Sequence, residues 1–180
     1  MKFHTSYLHE VYSTPERYKA LIDSVVKRCR ALQKSIPFDA IAFRGTSGAA
    51  VAYPVALRLG ISLICVRREN EGSHHWGGIV EGSDVRSVKR YIVIDDFIST
   101  GQTMDAILDA INDKAGNEIK FRISRGDLAP TDAPEPRPDR EPNRYPTIIE
   151  CVAIVLYMDG MVTSRERNYR GIPLRIIGRA

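Results

Sequence analysis

The chain has 180 residues, 43% hydrophobic and 27% charged, which is the composition of a folded domain and excludes a disordered, collagenous or low-complexity chain. Its 26 Lys and Arg against 22 Asp and Glu leave a net charge of +4, a mild excess that suits a nucleic acid or a small polyanion equally and chooses neither. No apolar stretch reaches the roughly 18–20 residues of a membrane helix, the longest candidate, residues 148–157, being broken by Glu150.

At the start of the chain His4, His9 and Glu10 stand where a secretory leader needs an apolar run, so the cytoplasm is the expected compartment. Ser13-Thr14-Pro15-Glu16, a hydroxyl cap, a first-turn proline and a glutamate three residues after Ser13, predicts a helix start. Tyr18, Leu21, Ile22, Val25, Val26, Cys29 and Leu32 then recur at helical spacing, the face that covers a sheet. Residues 39–43 read as a buried strand entering a tight loop, Arg44-Gly45-Thr46-Ser47-Gly48. Residues 49–59 read as a helix that Pro54 should distort and Gly60 should end. Short β-branched runs without alternation at 61–66 and 91–94 predict strands buried on both faces. Residues 104–115 predict an amphipathic helix stopped at Gly116, residues 147 or 148 to 157 a strand, and 174–177 a short last one.

Strands alternating with helices argue for an α/β fold, a doubly wound, mostly parallel sheet in a single domain over 1–180. Two stretches interrupt the pattern. Residues 68–85 hold four glycines and predict a mobile loop or a hairpin; residues 125–146 hold six of the ten prolines and predict an exposed connection without regular structure. The three cysteines, Cys29, Cys65 and Cys151, are far apart among apolar neighbours and read as reduced core residues.

Residues 91–103, YIVIDDFISTGQT, carry the chemistry: a hydrophobic strand, two acids at its end, and a hydroxyl-rich turn opening a helix. In an open α/β sheet ligands bind at the carboxyl ends of strands, which brings Asp95 and Asp96 to the site. Ser99, Thr100, Gly101, Gln102 and Thr103 offer backbone N–H groups, hydroxyls, a glycine permitting close approach and the positive end of a helix, a phosphate cradle. Two carboxylates before such a cradle repel a bare phosphate, so the ligand should also carry hydroxyls or Mg²⁺, as a sugar phosphate does.

The segment resembles the phosphoribosyl-diphosphate (PRPP) signature of type I phosphoribosyltransferases, a hydrophobic run followed by D-D-x-x-x-T-G-x-T, matched without a gap over 92–103. The resemblance implies that Asp95 and Asp96 hold the ribose hydroxyls and that 99–103 hold the 5-phosphate. Arg44, Gly45, Thr46, Ser47 and Gly48 are similar to the family's diphosphate loop, which implies backbone amides facing the leaving group and a cis peptide at Arg44–Gly45. Arg67-Arg68-Glu69 resembles the family's R-K-E, so Arg67 and Arg68 are expected on diphosphate oxygens, where a guanidinium binds bidentately.

The loop beyond resembles the catalytic loop of orotate phosphoribosyltransferases; it keeps His74 or His75 and Gly77-Gly78, with Trp76 between them, but has no lysine between Arg68 and Lys89. His75, Arg68, Asp95 and Asp96 are the candidate catalytic residues. Tyr157 and Asp159, after the fourth long strand, are candidate base contacts, since purine-salvage relatives place them there. Arg165, Arg167, Arg170 and Arg175 read as a solvated face, with attraction of an acidic base as the alternative.

The implied activity is displacement of diphosphate from PRPP by a nucleobase, orotate or a purine, with Mg²⁺ held mainly by PRPP and further by Asp95 and Asp96, in a homodimer. The competing expectation is a non-catalytic PRPP-binding regulator that binds nucleic acid, although no recognition helix or aromatic RNA-binding signature is present.

Overall fold

A computed structural model describes residues 14–68, 71, 79–82, 88–129, 131, 149–158 and 168–177. Its elements are α1 (Pro15–Ser35), β1 (Ala40–Phe43), α2 (Gly45–Leu59), β2 (Ser62–Val66), β3 (Val80–Gly82), β4 (Arg90–Asp95), α3 (Gln102–Ser124), β5 (Glu150–Leu156), β6 (Asn168–Tyr169) and β7 (Ile172–Ile176). The strands form one seven-stranded sheet in the order β3-β2-β1-β4-β5-β7-β6. Its centre, from β2 to β7, is parallel, and the two edge strands β3 and β6 run antiparallel to their neighbours. The stretch around 68–85 therefore includes a hairpin strand.

Helices cover both faces. Ile22, Val25, Val26, Cys29 and Leu32 of α1 join Val51, Ala52, Val55 and Ala56 of α2 over Ile41, Phe43, Ile92 and Ile94. On the other face Met104, Ile107, Leu108 and Ile111 of α3 pack on Ala42, Ile64, Tyr91 and Val93. With both faces roofed, β1 is buried throughout and β4 from Tyr91 onward, which is why neither run alternates. All three cysteines are free, Cys29 and Cys151 buried and Cys65 half-buried. Burial pushes the Cys29 thiol up to about 12. None of the described helices is long and apolar enough to cross a membrane.

Three local readings need correction, and the donor expected to be lost at Pro54 is supplied from another helix. The cap of α1 is Thr14, whose hydroxyl accepts from Arg17 N–H at 3.2 Å, so Glu16 falls one position short of a capping box. The segment 44–48 is not a free loop: α2 begins at Gly45, with Arg44 as its extended N-cap residue. α2 also runs through Pro54. The proline lacks the N–H that would bond the Ala50 carbonyl, and the Tyr18 hydroxyl of α1 supplies that donor instead. Finally α3 does not stop at Gly116 but reaches Ser124; Gly116 is buried inside it, a substitution for alanine that costs a helix only about 1 kcal/mol.

Candidate active site

The chain leaves β1 for β2 on one side and later enters β4 and β5 on the other, so the strand order reverses between β1 and β4. At such a switch point the loops after adjacent strands diverge and leave a crevice at the carboxyl ends. Here a cleft of about 220 Å³ opens there, lined by Arg44 and Ser47 after β1, Arg68 after β2, and Asp95 to Gly101 with Thr103 and Met104 after β4. Sites that enclose a whole small ligand measure roughly 300–1,000 Å³, so the described residues enclose room for part of a nucleotide-sized ligand.

Asp95 and Asp96 lie at its floor, 3% and 5% exposed. The Asp96 N–H donates to Asp95 Oδ1 at 3.0 Å and the Phe97 N–H to Asp96 Oδ1 at 2.8 Å, and the Ser47 hydroxyl also bonds Asp95. These donors do not offset confinement: burial first, and then the charge of Asp96, push the Asp95 carboxyl up to about 7. Two carboxylates confined side by side are suited to a ligand that brings hydroxyl donors or a cation.

The wall opposite is α2. Gly48 allows it to sit close, because a β-carbon there would lie 3.1 Å from Phe43 Cβ and 3.2 Å from the Ile94 carbonyl. The Arg44–Gly45 peptide is trans, correcting the expected cis bond; the chain turns instead through a left-handed Gly45, φ 72°. The Arg68 guanidinium folds over Gly45, Nη2 standing 3.3 Å from where a β-carbon would be, which brings a cation from the β2 end to the start of α2. Arg67 is directed elsewhere, pairing with Glu81 of the hairpin at 2.8 Å.

Beyond the acids, Ser99 and Thr100 are exposed and Gly101 is buried as the N-cap of α3, φ 84°. The first N–H groups of α3 have no intrahelical acceptor, and Thr103 and Met104 of that turn line the cleft. Gln102 does not line it.

One expected reason for a glycine at 101 is replaced by another. A β-carbon there would run into the Tyr169 hydroxyl and lie 2.9 and 3.0 Å from two ring carbons, so it is Tyr169 of β6, and not a ligand, that fills that space. The Tyr169 hydroxyl also meets Asp105 Oδ1 at 2.6 Å, and burial together with that bond pushes its pKa up to about 12. Phe97, Ile98 and Met104 also belong to the cleft wall without having been singled out; their position inside or beside the D-D-to-T motif was the available signal. Tyr169 carried no such signal.

Tyr157 is buried and donates its hydroxyl to the Ser47 carbonyl at 2.9 Å, tying β5 to α2; it is not among the residues lining the cleft. Arg175 is half-buried on β7 and Arg170 pairs with Asp105. Glu69, His74, His75, Trp76, Asp159, Arg165 and Arg167 lie outside the described residues.

A family model of the phosphoribosyl transferase domain matches residues 11–140. The chain belongs to that family. An orotate phosphoribosyltransferase of Pyrobaculum islandicum is 30% identical to this phosphoribosyl transferase chain over 109 residues, 61% of the chain and 53% of the relative. A transcriptional regulator, GfcR, of Methanocella arvoryzae is 28% identical over 92 residues, 47% of the chain and 44% of the relative. The chain thus spans about half the length of these curated relatives. Among solved structures the UMP synthase of Leishmania donovani superposes with a TM-score of 0.59 at 19% identity, covering 95% of this chain and 29% of that one, a likeness of fold.

Proposed function

We propose that the protein transfers the 5-phosphoribosyl group of PRPP to a nucleobase, orotate or a purine, releasing diphosphate. The observation that carries this reading is the meeting, in one cleft, of a buried acid pair, a glycine-hinged helix start and the Arg68 guanidinium, each from a different strand end. Ser99, Thr100, Gly101, Gln102 and Thr103 would hold the 5-phosphate, and Asp95 and Asp96 the ribose hydroxyls. The α2 start, residues 44–48, with Arg68, would hold the diphosphate, Arg67 being engaged by Glu81 of the hairpin.

A base nitrogen attacks the anomeric carbon as its bond to the diphosphate oxygen breaks. Positive charge then builds on the sugar beside the acids, and negative charge on the diphosphate beside Arg68 and the α2 amides. His75 would join Arg68 at the leaving diphosphate, and Asp159 is the place to look for base specificity, since the Tyr157 hydroxyl is already given to the Ser47 carbonyl.

Among the described residues no group of three or more acids, histidines or cysteines is placed to cage a metal. Two carboxylates beside a diphosphate-bearing substrate nevertheless fit Mg²⁺, which keeps its waters and takes only one or two protein carboxylates. Asp95 and Asp96 would hold it, and when bound it would neutralise the diphosphate. A homodimer in the cytoplasm completes the reading.

The test is incubation with PRPP and Mg²⁺ against orotate, uracil, adenine, guanine, hypoxanthine, xanthine and nicotinamide singly, reading nucleotide mass and diphosphate. One new nucleotide is expected. The likeness to a transcriptional regulator favours a second reading, a PRPP-binding regulator; PRPP binding without turnover, with salt-sensitive binding of nucleic acid, would select it.

A further inference from the structure

Tyr169 and Arg170 stand at the turn between β6 and β7. Arg170 and Gly171 both have positive φ, 49° and 79°, and Tyr169 pairs with Ile172 across them, the geometry of a two-residue type I′ hairpin. So tight a turn fixes the side chains beside it, and both of these reach the first turn of α3.

The Tyr169 hydroxyl is 2.6 Å from Asp105 Oδ1 and 3.1 Å from the Gly101 carbonyl. Its single proton goes to the nearer, charged acceptor, and the Gly101 carbonyl is served by the Asp105 N–H at 2.9 Å. Arg170 Nη2 takes the other Asp105 oxygen at 3.0 Å. The tyrosine ring meanwhile lies against Gly101 where a side chain would project. Both carboxylate oxygens of Asp105 and the back of Gly101 are thus held by the hairpin, and between them lie Gln102, Thr103 and Met104, whose N–H groups lack intrahelical acceptors.

We propose that Tyr169, with Arg170, is a positioning residue for the phosphate-binding turn: the C-terminal hairpin clamps residues 101–105 in the geometry that receives the 5-phosphate and neutralises Asp105 beside it. An unpaired carboxylate in that turn would repel the incoming phosphate; paired with Arg170 it does not. The inference rests on the sugar-phosphate reading of the cleft.

The test is calorimetric titration of wild type, Tyr169→Phe, Arg170→Gln and the Arg170→Gln, Asp105→Asn double variant with ribose 5-phosphate, and separately with diphosphate, in the presence of Mg²⁺. Tyr169→Phe should weaken ribose 5-phosphate by about tenfold, the scale of a hydrogen bond to a charged group, with diphosphate affinity unchanged. Arg170→Gln, on an exposed turn and safe for folding, should weaken it by about three- to fivefold, the upper end for an exposed ion pair, and adding Asp105→Asn should recover the part due to the bare carboxylate, leaving only the loss of the charged acceptor for the Tyr169 hydroxyl. Unchanged ribose 5-phosphate affinity in both single variants, or equal losses for both ligands, would overturn the clamp. Failure of the wild type itself to bind ribose 5-phosphate would overturn the sugar-phosphate reading and the clamp with it.

Discussion

Replacing Asp95 with asparagine should make the folded protein more stable at alkaline pH while impairing the site. The carboxyl is 3% exposed and is raised from 3.8 to about 7, by burial and by Asp96. Below pH 3.8 the folded and unfolded chains both hold this proton; between 3.8 and about 7 only the folded chain does; above about 7 neither does. Because the folded state binds the extra proton, this group makes stability fall as pH rises through that window. At about 1.4 kcal/mol per pH unit the full penalty at pH 8 is on the order of 4 kcal/mol, of which about 3 kcal/mol arises above pH 5. Asparagine is nearly isosteric and uncharged, so it removes this contribution at every pH. Urea unfolding of wild type and Asp95→Asn at pH 5 and pH 8 measures it together with the share that belongs to its neighbour Asp96, since titrating groups that do not interact with Asp95 cancel in the difference between the two proteins. The stability gained by the variant should be larger at pH 8 than at pH 5 by about 2–3 kcal/mol. A gain that is the same at both pH values would refute the claim that burial and the Asp96 charge raise the Asp95 carboxyl.

Asp95→Asn with Asp96→Asn should lower turnover by at least roughly tenfold, about 1.4 kcal/mol of barrier, in the PRPP assay, with the fold intact by circular dichroism. Gly101→Ala should destabilise by more than the roughly 1–2 kcal/mol of a left-handed alanine, and in a Tyr169→Ala background the cost should fall to that backbone part; equal costs in the two backgrounds would clear Tyr169 of being the obstacle. Cys29, buried with its thiol pushed up to about 12, should resist iodoacetamide at pH 8 in the folded protein and react on unfolding, as peptide mass mapping would report.

Much of the candidate site could be read from the sequence because it is local. Strand, acid pair, hydroxyl turn and helix follow one another within residues 91–103, so neighbouring residues in the chain are neighbours in the cleft. The buried strands were legible for a related reason: two-sided burial leaves a continuous apolar run that needs no knowledge of partners. Boundaries were less so. Residues 44–48 carry glycine and serine as a loop would, yet packing against Phe43 and the β4 end winds them into α2, and the α3 sequence passes Gly116 with little penalty.

Only the tertiary structure decided the rest. The Tyr18 hydroxyl answers the carbonyl that Pro54 leaves open from 32 residues away, and Tyr169 reaches Asp105 and Gly101 across 64 and 68 residues. Neither pairing leaves a periodicity or a motif, because each depends on two elements arriving side by side after the sheet has assembled. The direction of the edge strands is likewise set by their hairpin neighbours. The sequence by itself determined that the acid pair and the hydroxyl turn would share one cleft, since they belong to one strand and the turn after it; the Tyr169 and Arg170 contacts to that turn come from the far end of the chain, and only folding brings them there.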